Sequence, residues 1–522
     1  MNAVAASVID PVALQQALAL SMTRGMSVAL WAKLLPQAPA IVSEAGSRSF
    51  AELNARCNQL VRALRARGLQ AGDGIALLCS NRVEFAEVFW ASRRAGLRIT
   101  PVNWHLTADE AAYIVNDCDA KALFFDARFA AIAPELVDKT TCMRVAIGGS
   151  LAGFEGYEAW LDGHAADDIA DPQLGTSMLY TSGTTGRPKG VNRGAVASSP
   201  TGDAAAYTPG QSVHLCTGPL YHAAPLTFSL AVPNMFGAAV VMMDGWDAER
   251  ALMLIEQHQV THTHMVPTMF HRLLALPEAT RARHDLRSLR YVLHGAAPCP
   301  VTVKRRLIEW IGPIVHEYYA ATEGMGCLVD SHTWLTKPGT VGQPEAGHIR
   351  ILGEDGREMP TGEVGTVYLR APDEGRFSYY KDPAKTSKAY VGSHYTLGDM
   401  GYLDEDGFLF LTDRSAHLII SGGVNIYPAE VEAVLLTHPA VADAGVIGVP
   451  NEEWGEEVKA VVMLHALPAA TAGLAQELID HCRTHLAHFK CPKSVDFVDE
   501  LPRLDNGKLY KQKLREAYRH RG

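Results

Sequence analysis

Hydrophobic and polar positions alternate with two different periods along the first part of the chain. Short apolar runs typical of buried strands are separated by segments whose apolar residues lie three and four positions apart, as in a helix. The strand-like runs are GIALLCS (74–80), LRITPVN (97–103) and AKALFFD (120–126). The helical segments are RVEFAEVFWASRRAG (82–96) and TADEAAYIVNDC (107–118), the second opening on a threonine cap. Strands alternating with helices of this length predict a parallel, doubly wound sheet and an α/β fold.

The same alternation returns further along the chain. It runs through AAVVMMD (238–244), DAERALMLIEQHQ (247–259), VTHTHMVPTMFHRLLAL (260–276) and SLRYVLHGAAP (288–298). The first 413 residues are therefore predicted to form one large N-terminal domain built on doubly wound sheets.

The pattern changes twice in the last third of the chain. HIRILGEDGREMPTGEVGTVYLRA (348–371) and MGYLDEDGFLFLTDR (400–414) consist of β-rich runs broken by Asp-Gly and Thr-Gly turns. They predict a β-rich subdomain over about 337–413. NIYPAEVEAVLLTHP (425–439) then predicts a helix opening at Pro428, and VKAVVML (458–464) predicts a strand. We expect a small α+β domain over 414–522.

Composition narrows the classes of partner. The chain has 522 residues, 48% of them hydrophobic and 20% charged, which is typical of globular proteins with two or three cores. A formal net charge of -10 argues against a nucleic-acid partner, because phosphate backbones are held by excess Lys and Arg. Local positive groups suffice for a small nucleotide, which therefore remains compatible with this charge.

Cysteines and chain-end segments bear on location. The nine cysteines form no CxxC pair, which indicates reduced thiols in a cytosolic protein. The start, MNAVAASVIDPVALQQ, lacks the basic-then-apolar pattern of a secretory signal, and no apolar run reaches the length of a membrane span. We therefore expect a cytoplasmic protein without an integral membrane segment. The oligomeric state, a homodimer included, stays open.

The segment LYTSGTTGRPKG (179–190) suggests phosphate chemistry. Its glycines free backbone N–H groups, its hydroxyls can bind phosphate oxygens, and its lysine adds charge. The common nucleotide loop GxxxxGK[ST] is not present, which disfavours a kinase or P-loop ATPase. A glycine- and threonine-rich loop by itself is moderately specific, since many such loops are plain turns.

This string closely resembles the phosphate loop of the AMP-forming adenylating enzymes, the superfamily of acyl-CoA synthetases, aryl-CoA ligases, luciferases and peptide-synthetase adenylation domains. Further segments resemble that family's motifs in the same order over nearly the whole chain. They are PLYHAAPL (219–226), HGAAP (294–298), EYYAATEG (317–324), YTLGDMGYLDEDG (395–407), DRSAHLIISGGVNIYPAEVE (413–432) and LPRLDNGK (501–508).

The resemblance implies ATP, Mg²⁺ and coenzyme A as cofactors and a small carboxylic acid as substrate. It implies that Lys508 stabilises the charge that develops during adenylation, and that Glu323 binds magnesium. His222 would act as a gate between the two half-reactions. The implied ATP-binding residues are Thr181, Ser182, Gly183, Thr184, Thr185, Gly186, Lys189, Gly295, Ala296, Ala297, Tyr319, Thr322, Asp399, Arg414 and Lys508, with Thr184 also catalytic. The implied acyl and coenzyme A channel residues are His222, Ala223, Ala224, Ala320, Gly422 and Gly423.

The sequence departs from the family pattern at three positions. Ala320 stands where glycine usually follows the tyrosine, and Ala416 occupies a hinge position that is commonly Asp or Lys. Leu504 replaces a frequent threonine in the lysine loop. These positions are peripheral to the charge-handling residues, so the implied reaction class, activation of an acid by adenylation, is unaffected.

The acid and its acceptor stay open in the sequence. The segment HAAPLTF (222–228) is uncharged, which favours an acid without an α-amino group, and Leu226 and Phe228 could line an apolar pocket. A medium- or long-chain fatty acid or a bulky aryl or alicyclic acid would fit. Alternatives are a ligase that passes the acyl group to a carrier protein, and a homologue that binds nucleotide without turnover.

His262 and His264 share one face of a strand, as metal ligands can, but we interpret them as structural.

Overall fold

A computed structural model describes residues 10–181, 188–194, 207–414, 417–421, 424–451, 454–465, 472–486, 488–503 and 509–518. The chain divides by compactness into two units. The first comprises Met1–His264, Glu278–Val292 and Pro372–Ser387. The second comprises Met265–Pro277, Leu293–Ala371 and Lys388–Gly522. The predicted domain boundary between residues 413 and 414 stays a prediction.

Helices and strands alternate along most of the chain. The helices are α1 (Pro11–Thr23), α2 (Ser27–Leu34), α3 (Phe50–Ala66), α4 (Val83–Ala95), α5 (Ala108–Asp117), α6 (Ala133–Lys139), α7 (Tyr157–Leu161), α8 (Val232–Met235), α9 (Ala248–His258), α10 (Pro267–Ala275), α11 (Glu278–Arg281), α12 (Val301–Ile311), α13 (Ser331–Thr336), α14 (Pro383–Ala389), α15 (Pro428–Leu435), α16 (Ala472–His485) and α17 (Lys511–Tyr518). Short 3₁₀ segments cover Ala127–Ile132 and His488–Lys490, and Pro225–Ala231 is π-helical.

The strands include both long central strands and short edge strands. They are β1 (Pro39–Ser43), β2 (Gly46–Ser49), β3 (Gly74–Leu78), β4 (Arg98–Pro101), β5 (Ala120–Asp126), β6 (Met143–Ile147), β7 (Glu155–Gly156), β8 (Thr176–Ser177), β9 (Leu179–Thr181), β10 (Lys189–Asn192), β11 (Val213–Cys216), β12 (Ala239–Met242), β13 (His262–Met265), β14 (Tyr291–His294), β15 (Val315–Ala321), β16 (Gly324–Val329), β17 (Ile349–Leu352), β18 (Gly365–Arg370), β19 (Ser378–Tyr379), β20 (Tyr390–Val391), β21 (His394–Leu403), β22 (Leu409–Arg414), β23 (Ile419–Ser421), β24 (Val424–Ile426), β25 (Val441–Asn451), β26 (Gly455–Leu464) and β27 (Ser494–Phe497).

The first unit contains a six-stranded parallel sheet in the order β7-β6-β5-β3-β4-β8. Its strand β3 is buried along its whole length, as expected for a parallel strand covered on both faces. Helix α5 begins with the predicted threonine cap, in which the Thr107 and Glu110 side chains each bond the other's backbone N–H. The predicted parallel α/β arrangement is confirmed.

Two further groups of strands lie in the first unit. Strands β13, β11, β12 and β1 pair in parallel in that order, and β2 pairs antiparallel with β1. Strands β19, β10 and β9 form a small antiparallel sheet. Helix α4 is buried on nearly all sides and shares one core with α3, β1 and β3, which explains why its sequence carries so many apolar residues.

The second unit contains two antiparallel arrangements and the C-terminal sheet. Strands β15 and β16 form a hairpin, and β17, β18, β21 and β20 form a sheet to which β22 is added. The Asp-Gly turns lie where the sequence predicts them: Gly407, between β21 and β22, has a φ of 79°. The last sheet has the order β24-β23-β26-β25 with β27 beside β26, and Pro428 opens helix α15 as expected.

The overall class of fold agrees with the prediction from the sequence. It is a mixed α/β fold with a large N-terminal domain followed by a smaller C-terminal one. In the part of the chain that the structure describes, no helix combines the length and the apolar character that a bilayer crossing requires.

Candidate active site

Tyr319 and Asp399 meet in the second unit. The Tyr319 hydroxyl donates a hydrogen bond of 2.7 Å to the Asp399 carboxylate, and both residues are less than a tenth exposed. Tyr319 lies on β15 and Asp399 on β21, so this contact joins strands about eighty positions apart in sequence. The structure thus brings together the two residues expected to bind the adenine and the ribose.

Thr322 and Glu323 form the two-residue turn of the β15–β16 hairpin. Ala321 pairs with Gly324, so the two residues between them must turn the chain. Glu323 is 9% exposed and Thr322 is half-buried. The turn is closely packed, since a Cβ at Gly324 would lie 2.0 Å from the Tyr395 hydroxyl. A carboxylate fixed at such a turn is an oxygen ligand suited to a hard divalent cation.

Gly295, Ala296 and Ala297 follow β14 directly. A Cβ at Gly295 would lie 2.6 Å from both the carbonyl oxygen and the ring of Tyr318, so glycine is required for the loop to approach β15. Ala296 has a φ of 66°, in the left-handed region that residues other than glycine seldom adopt. The loop is therefore strained and packed against the strand that carries Tyr319.

Arg414 and Asp399 are direct partners in the β21–β22 register. A register pair places the two Cα atoms opposite each other on neighbouring strands. The backbone thus brings Arg414 beside the aspartate expected to bind the ribose.

In the first unit, Thr181 and Lys189 are the last paired residues before the phosphate-loop segment. They face each other in the β9–β10 register, so residues 182–188 connect the two strands. The Lys189 ammonium forms an ion pair with Asp382, and this hydrogen bond holds the pKa of the Asp382 carboxyl below its usual value. Both side chains are about a quarter exposed.

His222, Ala223 and Ala224 are half-buried and stand immediately before the π-helical segment. The backbone N–H of Leu226 donates to the His222 carbonyl, which ties the segment to the start of that helix. The Tyr221 and His222 rings lie 4.6 Å apart. Among the neighbouring side chains, Leu226 is 3% exposed and belongs to the core.

Asn81 is a positioning residue that the sequence analysis missed. Its amide donates to the carbonyls of Gly218 and Met243 at 2.9 Å each, and its side-chain oxygen accepts from the Leu220 N–H at 3.0 Å. These bonds hold the loop that leads to His222. The signal in the sequence was an asparagine directly after a strand-like run, which does not reveal partners more than 130 positions away.

Several predicted site residues lie outside the described residues. They are Ser182, Gly183, Thr184, Thr185, Gly186, Gly422, Gly423 and Lys508, together with Ala416 and Leu504. Their predicted roles stay predictions. Arg503 and Leu509 form an isolated antiparallel bridge, so the segment 504–508 connects two paired positions.

The buried histidines of β13 have local explanations. His262 lies 2.7 Å from the Thr261 hydroxyl and stacks on Tyr207, and His264 stacks on Phe228. Burial lowers the pKa of His262 to about 4 and that of His264 to about 3, so both rings are neutral at pH 7. No group of three metal-ligating side chains is found among the described residues.

Comparison with known proteins identifies the family. Residues 28–380 match the family described as AMP-binding enzyme, and residues 430–508 match the AMP-binding enzyme C-terminal domain. The two matches together include every predicted site residue except Asp399, Arg414, Gly422 and Gly423.

Sequence relatives and a solved structure extend the comparison. The chain is 31% identical to the fatty acid–acyl-carrier-protein ligase ScoC of Streptomyces coeruleorubidus, over 92% of this chain and 94% of the relative. It is 32% identical to the long-chain-fatty-acid–CoA ligase FadD13 of Mycobacterium tuberculosis, over 90% of this chain and 93% of that one. The crystal structure of the anthranilate CoA ligase AuaEII with anthranoyl-AMP matches with a TM-score of 0.84 and 25% identity, covering 94% and 97% of the two chains. The chain therefore belongs to the AMP-binding enzyme family of adenylate-forming ligases.

Proposed function

We propose that this protein is an AMP-forming acyl-CoA synthetase that activates a hydrophobic carboxylic acid. The observation that carries the proposal is the hydrogen bond between Tyr319 and Asp399, with Glu323 in the turn at the end of the strand that carries Tyr319, in a chain that belongs to the adenylate-forming ligases. This group offers an aromatic ring, a ribose-binding carboxylate and a cation-binding carboxylate. Those are the groups that a magnesium–nucleotide complex requires.

The reaction proceeds in two half-reactions. A carboxylate oxygen of the acid attacks the α-phosphorus of ATP, the bond to the bridging oxygen breaks, and pyrophosphate leaves. The thiol of coenzyme A then attacks the acyl carbon, loses its proton, and AMP leaves. Adenylation is needed because oxide is a poor leaving group, whereas AMP is a good one.

We assign a few side chains to stabilise the charges of the first half-reaction. Lys508 contacts the attacking carboxylate and the α-phosphate, and the loop 182–188 binds the departing pyrophosphate. Glu323 would hold Mg²⁺, which neutralises phosphate charge when bound. The nearly buried Glu323 carboxylate at a tight turn supports this assignment.

The second half-reaction requires the C-terminal domain to move. We assign residues 414–522 to a mobile domain whose rotation removes Lys508 and brings Gly422 and Gly423 to the pantetheine channel. Residues 1–413 form the N-terminal domain, with its β-rich subdomain over about 337–413. His222 is assigned the gate between the acyl-adenylate and the incoming thiol, and its attachment to the π-helical segment supports a defined position.

The acid is assigned to a hydrophobic class, which is a medium- or long-chain fatty acid or a bulky aryl or alicyclic acid. The half-buried Ala223 and Ala224 beside His222 leave space without charge, and Phe228 is half-buried against the neutral His264 ring. A relative named for a long-chain fatty acid and a structural neighbour named for anthranilate, an aryl acid, both support this class.

One specific finding favours an acyl acceptor other than coenzyme A. The relative ScoC is named as a ligase for an acyl carrier protein, and it matches nearly the whole chain. The alternative is that the acyl group passes to the phosphopantetheine arm of a carrier protein and free coenzyme A is a poor acceptor.

The deciding experiment measures pyrophosphate release from ATP and magnesium over a panel of fatty, aryl and alicyclic acids, with and without coenzyme A. We expect release that depends on the acid and turns over with coenzyme A, with acyl-CoA identified by mass spectrometry. Release that depends on the acid but ignores coenzyme A would favour the carrier-protein alternative. No release with any acid, at substrate concentrations saturating for relatives, would contradict the proposal.

A further inference from the structure

A buried ion pair with a histidine beside it joins the strand before the Gly295–Ala297 loop, the helix after it and strand β15. The Lys304 ammonium lies 2.7 Å from the Glu317 carboxylate, and the His294 ring nitrogen Nε2 lies 3.5 Å from the same carboxylate oxygen. Lys304 and His294 are fully buried, and Glu317 is 6% exposed. The Lys304 ammonium also lies 4.6 Å from the centre of the Trp334 ring. Burial raises the pKa of Glu317, although Lys304 opposes this effect.

The position of this cluster in the chain connects it to the nucleotide residues. His294 is the last residue of β14 and directly precedes Gly295. Lys304 lies in the first turn of α12, just after the loop ends. One carboxylate, Glu317, therefore contacts both sides of the loop, and two residues further along β15 stands Tyr319.

The strain in the loop requires such an attachment. Ala296 is held in the left-handed region, and strained backbone of this kind persists when surrounding contacts determine it. The close approach of Gly295 to Tyr318 also holds only if the loop is kept against β15.

Burying a charged pair carries a desolvation cost, and apolar residues of similar size are often as stable. Stability alone therefore does not explain a lysine at a core position of α12, whose other buried residues are Val303, Leu307 and Ile308. A role in positioning explains the buried lysine better, because an ion pair fixes positions more specifically than apolar contacts do.

We infer that Glu317, Lys304 and His294 fasten the Gly295–Ala297 loop to strand β15 and thereby set the shape of the adenine side of the nucleotide site. They are positioning residues, since none of them is assigned a contact with substrate. The inference rests on the proposed function to the extent that this loop and Tyr319 bind adenine. His294 and Glu317 stand in the quoted segments HGAAP and EYYAATEG, where neither was given a role, and Lys304 lies outside the quoted motifs.

The test measures AMP and ATP binding by calorimetry in purified full-length protein, so that it does not depend on knowing the acid. The variants are Glu317→Gln, which keeps the shape and removes the charge, and Lys304→Met. We expect each to raise the Kd for AMP about tenfold, equivalent to about 1.4 kcal/mol. In turnover assays the KM for ATP should rise similarly, while the KM for the acid stays within about twofold of wild type.

A matched control separates positioning from general destabilisation. Glu87, on α4 in the first unit, is fully buried and paired with Arg48 and Arg56. Helix α4 carries none of the predicted site residues. Glu87→Gln should lower the melting temperature and leave the Kd for AMP unchanged.

Three outcomes would overturn the inference. The first is a wild-type Kd for AMP in Glu317→Gln or Lys304→Met, whatever happens to the melting temperature. The second is an equal rise in the Kd in the Glu87→Gln control. The third is a wild-type protein that does not bind AMP. If Glu317→Gln and Lys304→Met do not fold, Lys304→Arg, which keeps the charge but moves the donors, should raise the Kd for AMP. An unchanged Kd in Lys304→Arg would equally overturn the inference.

Wild-type AMP binding without turnover of any acid would contradict the proposed function, while this inference would still be decided by the variants.

Discussion

Two hairpins carry predicted site residues, and they differ in how those residues are held. In the β15–β16 hairpin a two-residue turn contains Glu323, and both this residue and nearby Tyr319 are less than a tenth exposed. In the β9–β10 hairpin the connection spans residues 182–188, and the flanking Lys189 is about a quarter exposed and paired with Asp382.

The difference indicates where substitutions should be costly. A hydrogen bond in a buried site leaves an unsatisfied polar group when one partner is removed, and this is expensive in a medium of low dielectric constant. A partly exposed ion pair is replaced by water at little cost. We therefore expect large losses of activity from substitutions in the β15–β16 hairpin. Substitutions in the Lys189–Asp382 ion pair beside the β9–β10 connection should cause small losses. A third connection, residues 504–508 between Arg503 and Leu509, contains the predicted catalytic lysine.

The largest expected effect is at Lys508. Lys508→Ala should lower the rate of adenylation by on the order of a hundred- to a thousandfold, the scale of one lost charge stabiliser. Thioester formation from supplied acyl-adenylate should change much less, because we assign the lysine to the first half-reaction. Both rates are measured by rapid quench, with exposed Lys513→Ala as the matched control. Equal losses in both half-reactions would contradict the assignment.

Glu323→Gln should have the next largest effect. The amide is a weaker ligand than the carboxylate, so pyrophosphate release should need about 10- to 100-fold more magnesium, a scale that even outer-shell partners of metals reach. The measurement is the magnesium dependence of pyrophosphate release at fixed ATP. Exposed Glu345→Gln serves as the control. An unchanged magnesium requirement in Glu323→Gln would remove Glu323 from the metal site.

Tyr319→Phe keeps the ring and removes the hydroxyl that donates to Asp399. A hydrogen bond to a charged group contributes about 1.5 kcal/mol or more, so the KM for ATP should rise about tenfold. The rate at saturating ATP should fall much less. A KM equal to that of wild type would show that Asp399 does not depend on Tyr319 for its position.

Asp382→Asn tests the partly exposed anchor in the first unit. Removing the partner of Lys189 should change kcat/KM for ATP by at most about fivefold, the range expected of such ion pairs. Steady-state kinetics in low and high salt measure this change, which should shrink further as salt rises. A larger effect than that of Tyr319→Phe would contradict the difference that we expect between the two hairpins.

The pH dependence of stability tests the burial of His264. Burial lowers the pKa of His264 to about 3, whereas an unfolded histidine titrates near 6.5. As the pH falls below about 6.5, the unfolded chain binds a proton that the native chain excludes, so stability falls progressively until the pH reaches about 3. At pH 5.5 this amounts to on the order of 1 kcal/mol.

The His264→Phe variant should therefore lose less melting temperature than wild type between pH 7.5 and 5.5. His488→Gln, at an exposed position, should lose as much as wild type. If His264→Phe and wild type lose equally, the His264 ring is protonated in the native protein at pH 5.5.

Local patterns predicted much of the fold correctly. The threonine cap of α5, Pro428 at the start of α15 and the Asp-Gly turn at Gly407 each follow from the chemistry of one to four neighbouring residues. The parallel arrangement of β3, β4 and β5 follows from the alternation of strand and helix periods. The π-helical segment Pro225–Ala231 had no such signal, because its hydrogen-bond spacing depends on tertiary packing.

The candidate site was predictable where a motif carried it. Tyr319 and Asp399 were predicted from two separate motifs, and the structure joins them by a hydrogen bond. Asn81, Asp382 and the Lys304–Glu317 pair were not predicted, because their side chains are ordinary in their own segments. Their roles arise from partners that the chain brings near after folding.

By itself, the sequence determined the α/β class and the order of the motifs, because these depend on local periodicity and on the chemistry of short segments. The charge-handling residues were predicted from the resemblance of those motifs to a family, and their roles stay predictions. The tertiary structure alone decided which partners hold them: Asn81 on the loop before His222, Asp382 on Lys189, and Glu317 on both sides of the Gly295–Ala297 loop. The physical reason is that a hydrogen bond or ion pair depends on distance in space and on burial, and the spacing of residues along the chain specifies neither.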